Sequence, residues 1–278
     1  MKADTQKKVN RALKLLESVA KTHTDIELAY SGGKDSDVIL ELARMAGIPF
    51  TPIYKNTTID PPGTINHVRE NGVQIVQPKR PFFKLVEAKG FPSRFFRFCC
   101  SEIKEYKIKD TVILGIRKEE SSKRAATYKK PVMCRIYHDK DHVNQVLPIL
   151  DWTLNDVAEF VIARGIQLAP HYYQNGSWND PDFTCRLGCL GCPLASDNGV
   201  GDFVKYPRLV RSWIKAGSVW WNTHPNISTR RRYESIYEYF ALRTFYQTKM
   251  LQNRNSESLF KTDWKQTLED YFKIDLTI

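Results

Sequence analysis

The chain reads as an α/β protein on a doubly wound, mostly parallel sheet, with a helical C-terminal region. Three observations lead there. Short apolar runs of strand length alternate with amphipathic helical stretches over the first 150 or so residues. One such run, Ile26-Glu27-Leu28-Ala29-Tyr30, passes through Ser31-Gly32-Gly33-Lys34-Asp35-Ser36 into the helically spaced Val38, Ile39, Leu40, Leu42 and Ala43. A length of 278 residues is enough for one sizeable core and a smaller appendage.

The elements follow in order. Residues 5–22 carry Val9, Leu13, Leu16 and Val19 on one stripe, an amphipathic helix. Strand 26–30 and its glycine turn come next. Phe50-Thr51-Pro52-Ile53-Tyr54 is a second strand, ending at Asn56-Thr57-Thr58. Asp60-Pro61-Pro62-Gly63 opens a helix through Val68 and Arg69, since prolines are tolerated in a first turn. Val73–Val76 and Thr111–Leu114 are the third and fourth strands, the latter ending at Gly115-Ile116-Arg117. Ligands of such sheets sit beyond the carboxyl ends of strands, so Ser31, Thr57 and Gly115 are expected around one crevice.

Cys99 and Cys100 lie in an aromatic, basic stretch, Arg94 to Lys104, with a helix expected onward through Ile103, Tyr106 and Ile108. Residues 118–124 are polar. Residues 127–145, with Lys129, Lys130, Arg135, His138, Lys140 and His142, read as a basic excursion or hairpin. Thr153 is an N-cap, with Asp156 completing a capping box, and its helix runs through Val157, Phe160 and Val161 to Gly165. Phe203, Tyr206, Leu209, Val210, Trp213 and Ile214 form another helical face. The tail from Thr229 to Lys249 reads as helix, with Arg230-Arg231-Arg232 at its start.

Forty-two Lys+Arg against 31 Asp+Glu leave a net charge of +11, which suits a polyanion, either nucleic acid or a phosphorylated nucleotide. No run of eighteen apolar residues is present, so no membrane span is expected. Lys2, Lys7, Lys8 and Arg11 leave no apolar signal-peptide core at the start. The expected location is cytoplasmic, where cysteines serve metals or redox chemistry instead of disulfides.

Ser31-Gly32-Gly33-Lys34-Asp35-Ser36 carries the sharpest chemical signal. Two glycines let the backbone turn tightly, the amides of the next helical turn face an anion, and Lys34 adds a full charge. Asp35 is a candidate magnesium ligand or a first-turn helix charge. No Gly-x-x-x-x-Gly-Lys-Ser/Thr run occurs, which excludes the loop of the common NTPases. The motif resembles the pyrophosphate loop of the PP-loop ATP pyrophosphatases, which split ATP between its α and β phosphates or bind adenylyl sulfates in the same place. The resemblance implies a nucleotide-binding domain over residues 1–150, followed by a helical, cysteine-bearing region over 151–278.

Six cysteines are present, at 99, 100, 134, 185, 189 and 192. Cys189-x-x-Cys192 has metal-loop spacing, and with Cys99-Cys100 it makes a set of four thiolates suited to an iron–sulfur cluster or a zinc ion. Adjacent cysteines diverge on a helix, which favours separate corners of a larger cluster. Cys185 is a possible replacement for one member.

The order of SGGKDS, Cys-Cys-x-x-x-Lys, Gly-x-Arg, Asp-Trp-Thr-x-x-Asp-Val and Gly-Cys-x-x-Cys-Pro resembles the phosphoadenosine phosphosulfate (PAPS) reductase family over roughly residues 25 to 215. The cysteine pattern is similar to adenylyl-sulfate reductases and to the sulfur-activating enzyme of DNA phosphorothioation. That resemblance implies a four-iron four-sulfur cluster on Cys99, Cys100, Cys189 and Cys192. It also implies nucleotide binding by residues 31–36, with Lys104, Arg117 and Arg124 neutralising phosphate or sulfate. One departure stands out: reductases attack sulfate sulfur with a cysteine near the carboxyl terminus, and no cysteine follows Cys192. Cys134, flanked by basic residues, and Cys185 are the candidate substitutes.

Two enzymatic readings and one bland reading follow. The first is ATP-dependent adenylation of an acceptor, nucleic acid foremost, followed by displacement with sulfur from a donor. Loop amides, Lys34 and Arg117 would then stabilise departing pyrophosphate beside magnesium. The second is a sulfonucleotide reductase acting on adenylyl sulfate or PAPS with a thioredoxin-like reductant. The third is a non-catalytic nucleotide or nucleic-acid binding partner. Arg230-Arg231-Arg232 with Tyr233, Tyr237 and Tyr239, and the Trp220-Trp221 pair, read first as solvated or packed residues and only second as nucleic-acid contacts. His138 and His142 have the i,i+4 spacing of metal ligands, but their segment lacks helical character and they read as surface histidines; no feature selects Glu119 or Glu120 for acid–base work.

Overall fold

Short apolar strands separated by helix-length segments can bury both faces only in a parallel sheet with helices on each side. The computed structural model, which describes residues 1–136, 141–173, 180–244 and 262–277, has that sheet. It forms two compact units. The first comprises Met1–Asn56, Asp60–Pro78 and Ser101–Gly188; the second comprises Thr57–Ile59, Lys79–Cys100 and Cys189–Ile278. A single cut at residue 150 therefore does not describe the division.

The first unit holds six strands: β1 (Ile26–Tyr30), β2 (Thr51–Lys55), β3 (Gln74–Val76), β4 (Thr111–Ile113), β5 (Val132–Ile136) and β6 (His142–Val146). Their order is β3-β2-β1-β4-β6-β5, all parallel except β5, which runs antiparallel to β6. The four expected strands are present. Of the two forms expected for the basic stretch it takes the hairpin: β5 and β6 pair antiparallel, and β6 also pairs with β4 inside the main sheet, where Val143 and Val146 are buried. His138 and Lys140 lie outside the described residues.

Helices α1 (Ala3–Ala20), α2 (Lys34–Met45), α3 (Thr64–Glu70), α6 (Ser122–Thr127) and α7 (Leu154–Arg164) belong to this unit. Val9, Ala12, Leu16 and Val19 of α1 are buried with Val38, Ile39 and Leu42 of α2 and Val157, Phe160 and Val161 of α7 in one core. That shared core places α7 here, beyond residue 150. Its capping box forms as expected: Thr153 Oγ1 accepts from the Asp156 amide at 3.2 Å, and Asp156 Oδ2 accepts from the Thr153 amide at 2.7 Å. Gly165 ends the helix at φ 62°, the left-handed conformation glycine adopts readily.

One polar pair is shut inside. Glu27 on β1 is buried, which raises its carboxyl above the ordinary range, and Lys55 Nζ lies 3.4 Å away with its own basicity lowered by burial. Lys55 also donates to the carbonyls of Lys104 (3.3 Å) and Tyr106 (2.7 Å). These captures explain why α5 (Phe98–Ile103) stops at Ile103 instead of continuing through Ile108. Carbonyls that would accept helical hydrogen bonds are bound by a lysine.

The second unit is helical: α4 (Phe82–Lys89), α8 (Val200–Lys205), α9 (Pro207–Thr223), α10 (Ile236–Thr244) and α11 (Trp264–Phe272). Its core is aromatic. Trp213 lies 5.1 Å from Phe82, 5.8 Å from Phe91 and 5.4 Å from Phe203 between ring centroids. Gly217 makes that closeness possible, since a Cβ there would fall 2.3 Å from the Phe91 ring. The expected helix from Phe203 is two helices, because Pro207 lacks an amide proton and starts a new first turn. The expected tail helix is a short 3-10 turn, Ser228–Arg231, followed by α10; residues 245–249 are outside the description. No helix of the described residues is long and apolar enough to cross a membrane.

Asp156 supplies a pH test. Burial pushes its carboxyl up, but hydrogen bonds from Lys8 and Thr153 outweigh that and hold it below the ordinary carboxylate range. A depressed folded pKa stabilises the fold above the unfolded value near 3.9, and that contribution fades as pH falls through the folded pKa. Asp156→Asn should therefore destabilise by about 1 kcal/mol at pH 7. In urea melts across pH the two proteins should converge as pH falls below the ordinary carboxylate range.

Candidate active site

In the first unit, the turn between β1 and α2 is built by its glycines. Gly32 has φ +76°, and a Cβ on it would press Thr64 at 3.1 Å and Leu187 at 3.3 Å. Gly33 precedes α2 in extended conformation, and Ser36 Oγ donates to the Gly33 carbonyl at 2.7 Å. Chain geometry alone suggested bare amides, but the Lys34 amide donates to the Tyr172 hydroxyl at 3.0 Å. Burial raises the Tyr172 phenol well above its usual value, so this partner is a neutral hydroxyl. Tyr172 was not foreseen: it arrives from a 3-10 turn (Pro170–Tyr172) far along the chain.

Lys34 is buried, and its Nζ donates to the Cys185 carbonyl at 3.3 Å and lies 3.6 Å from Asp35 Oδ2. Arg117 is only 4% exposed. Its Nε donates to Asp35 Oδ1 at 2.6 Å and its Nη1 to Glu119 Oε2 at 2.7 Å. Gly115 allows this approach, because a Cβ there would sit 2.8 Å from the Asp35 carbonyl oxygen. Arg124 pairs with Glu120; burial lowers its guanidinium basicity, and the charges of Arg186 and Arg117 lower it further. Arg186, adjacent to Cys185, is the cation that sequence reasoning missed. Four basic side chains thus gather about the start of α2, with Asp35, Glu119 and Glu120 as their present counter-charges.

Beneath the loop Asp37 is buried, accepting from Tyr30 and lying 3.0 Å from His67 Nε2. Burial raises its carboxyl, and His67 and Tyr30 pull the other way without reversing the shift. This contact ties α2 to β1 and α3.

The remaining candidates divide. Ser31 and Gly115 come together at the start of α2, since β1 and β4 are adjacent and parallel. Thr57 falls in the second unit, buried, with its hydroxyl accepting from the Ile59 amide at 3.3 Å. Lys104 is exposed just past α5. Cys134 sits on the outer strand β5, three strands from β1 or about 14 Å at the usual spacing. Its sulfur is 3.7 Å from His142 Nδ1. Cys185 lies beside Lys34, its thiol donating to Asp182 Oδ2 at 3.0 Å.

The other four cysteines all belong to the second unit. The Cys99 thiol is held up by a hydrogen bond with Cys100, by burial, and by the nearby charges of Cys100, Cys189 and Cys192, so the four share one neighbourhood. Gly191 shapes the Cys189–Cys192 loop at φ +68°, where a Cβ would strike Phe203 at 2.6 Å, and its amide donates to Asp202 at 2.9 Å. Among the described residues, no three His, Cys, Asp or Glu side chains are drawn tightly enough to hold a metal ion. None of the six cysteines is in a disulfide. Arg230 lies over Trp221 at 5.0 Å, and Tyr233 and Tyr239 pack 5.1 Å apart, so these aromatics are structural.

A parallel sheet with a glycine turn and buried cations at the head of one helix defines an α/β protein with a positively charged loop beyond the carboxyl end of β1. Residues 25–195 match the phosphoadenosine phosphosulfate reductase domain, and the chain belongs to that family. It is 26% identical over 207 residues to an uncharacterized protein of Methanocaldococcus jannaschii, covering 68% of this chain and 46% of that protein. It is 30% identical over 151 residues to an uncharacterized 37.8 kDa protein of Escherichia phage 186, covering 49% and 42% respectively. The chain thus spans less than half the length of these relatives. Among solved structures it is similar to an NMN synthetase from Francisella tularensis (TM-score 0.38, 14% identity, 58% of this chain, 71% of that one). It is also similar to an NH3-dependent NAD synthetase from Campylobacter jejuni (TM-score 0.41, 12% identity, 93% and 100%).

Gly115→Ala tests the geometry. Its methyl would push against the Asp35 carbonyl and shift Arg117, so ATP affinity by calorimetry should fall about tenfold. The melting temperature should drop by only a few degrees, about what 1–2 kcal/mol produces in a chain of this size.

Proposed function

We propose that this chain is a PP-loop enzyme that binds ATP at residues 31–36 and adenylates an acceptor in sulfur-transfer chemistry, nucleic acid being the acceptor. The supporting observation is the gathering of Lys34, Arg117, Arg124 and Arg186 about the start of α2. An acceptor oxygen would attack the α-phosphorus, the bond to the β-phosphate oxygen would break, and the pair of electrons would leave on pyrophosphate. Lys34 and Arg117, both buried, and half-buried Arg124 are held in place by Asp35, Glu119 and Glu120, which suits them to that developing charge without reorganising. The Tyr172 hydroxyl can turn from accepting the Lys34 amide to donating toward an anion. Magnesium arriving with ATP would compete with Arg117 for Asp35. The outer sulfur of a donor persulfide would then attack the adenylated atom and expel AMP, and a second thiol of the donor would cleave the resulting donor–acceptor disulfide, releasing the thiolated acceptor and being oxidised to a disulfide.

In this reading Cys99, Cys100, Cys189 and Cys192 hold a four-iron four-sulfur cluster, with a zinc ion as the alternative. The donor types suit such a centre, four thiolates from one unit, and the four must draw closer together than they lie here to hold it. When bound, the cluster supplies a redox-active, charge-neutralising core for these thiolates.

A second reading is favoured by one contact. Lys34 Nζ reaches the backbone carbonyl of Cys185, whose thiol donates to Asp182, whereas Cys134 lies on the outer strand β5. In a sulfonucleotide reductase the Cys185 thiolate would attack the sulfate sulfur of adenylyl sulfate or PAPS and expel the nucleotide phosphate. A thioredoxin-like dithiol would then release sulfite and be oxidised to a disulfide.

Two assays separate the readings. ATP with the correct acceptor should release pyrophosphate, and Lys34→Met should lower kcat/KM about 100-fold or more; no pyrophosphate with any DNA or RNA would rule out adenylation. Sulfite release from adenylyl sulfate, lost in Cys185→Ser and kept in Cys134→Ser, would establish the reductase. Anaerobically purified protein should be brown with about four irons and four sulfides per chain, and Cys192→Ala should remove them.

A further inference from the structure

A phenylalanine at full exposure is unusual here: among the described aromatic residues only Phe95, Phe96 and Tyr271 are exposed. Phe95 is 102% exposed and Phe96 52%, at the tip of a turn in the second unit. The turn is locked, not loose. Ser93 donates its amide to the Phe96 carbonyl at 2.9 Å, and its hydroxyl accepts from the amides of Phe96 at 2.8 Å and Phe95 at 3.3 Å. Arg94 fastens the turn to the loop after Cys192: Nε donates to the Pro193 carbonyl at 3.0 Å and to Asn198 Oδ1 at 3.2 Å, and Nη2 to the Ala195 carbonyl at 3.0 Å. Phe96 leans on buried Phe98 at 5.2 Å between centroids, which braces it from behind.

We propose that the Ser93–Phe96 turn is a stacking wedge for single-stranded nucleic acid, with Phe95 and Phe96 taking bases and Arg97 a backbone phosphate. Three observations select this occupant. The rings are presented rigidly, so a base can stack without first ordering the turn. The surroundings are cationic: residues 88–101 contain no Asp or Glu but include Lys89, Arg94 and Arg97, and Arg97 is exposed. The chain as a whole carries +11, which favours a polyanion over a protein partner of ordinary charge. Membrane insertion is the weaker match, since surface-binding segments are amphipathic helices and this is a four-residue turn. The wedge differs from the arginine run at 230–232, whose aromatic neighbours are packed.

This inference deepens the nucleic-acid reading of the acceptor, and its test is independent of turnover. Binding of a short fluorescein-labelled oligothymidylate to the full chain is followed by anisotropy across salt concentrations. The double variant F95A/F96A should bind about tenfold or more weakly with an unchanged salt slope. Phe95→Trp should retain affinity, and Arg97→Ala should reduce the salt slope by about one. Thermal melts of all variants should match the parent, because the side chains changed are exposed. Equal binding by F95A/F96A, or no binding by the parent, overturns the proposal. So does preference for duplex or for anionic phosphatidylserine vesicles that depends on Phe95. ATP binding by the parent is measured alongside: ATP without oligonucleotide binding sinks the wedge alone, and oligonucleotide without ATP binding sinks the nucleotide reading alone.

Discussion

A guanidinium cannot be buried without acceptors, and the first unit is arranged around that requirement at Arg117. Its head group reaches Asp35 at 2.6 Å and Glu119 at 2.7 Å. For these bonds to form, the chain just beyond β4 must pass through a residue without a side chain, because Gly115 lies against the Asp35 carbonyl. The start of α2 must also hold still, which the Asp37 contacts with Tyr30 and His67 ensure from below. Breaking such a buried pair on one side strands the other charge and is strongly destabilising. Under the proposed function, a polyphosphate would take the place of these carboxylates as counter-ion to Arg117.

The local code of the sheet was legible. Strand–turn–helix order, the glycine turn, the Thr153–Asp156 box and the Gly165 stop all act over a few residues, and all appear as read. Long-range partners were not legible. Tyr172 reaches the Lys34 amide across 138 positions, and nothing in its neighbourhood marks it. Arg186 was visible only as one more basic residue. The α5 overrun had the same origin: the periodicity of Ile103, Tyr106 and Ile108 was real, but Lys55 claims the carbonyls that a longer helix would need.

The second unit shows how an aromatic core is assembled from dispersed pieces. Phe82 and Phe91 precede the cysteine pair, whereas Trp213 and Phe240 come more than a hundred positions later. Composition indicated many aromatics but not which were structural. Glycines decide it locally: Gly217 admits the Phe91 ring and Gly191 the Phe203 ring. Arg230 and Trp220-Trp221 are drawn into this packing, while Arg231, Arg232 and Phe95 are left outside it.

The enclosed Glu27–Lys55 pair has a consequence for how relatives can diverge. Removing either charge alone would strand its partner in the sheet, whereas exchanging both for apolar residues of similar volume is tolerable. Homologues should accordingly change these two positions in concert, and a chain with a neutral residue at one of them should be neutral at the other.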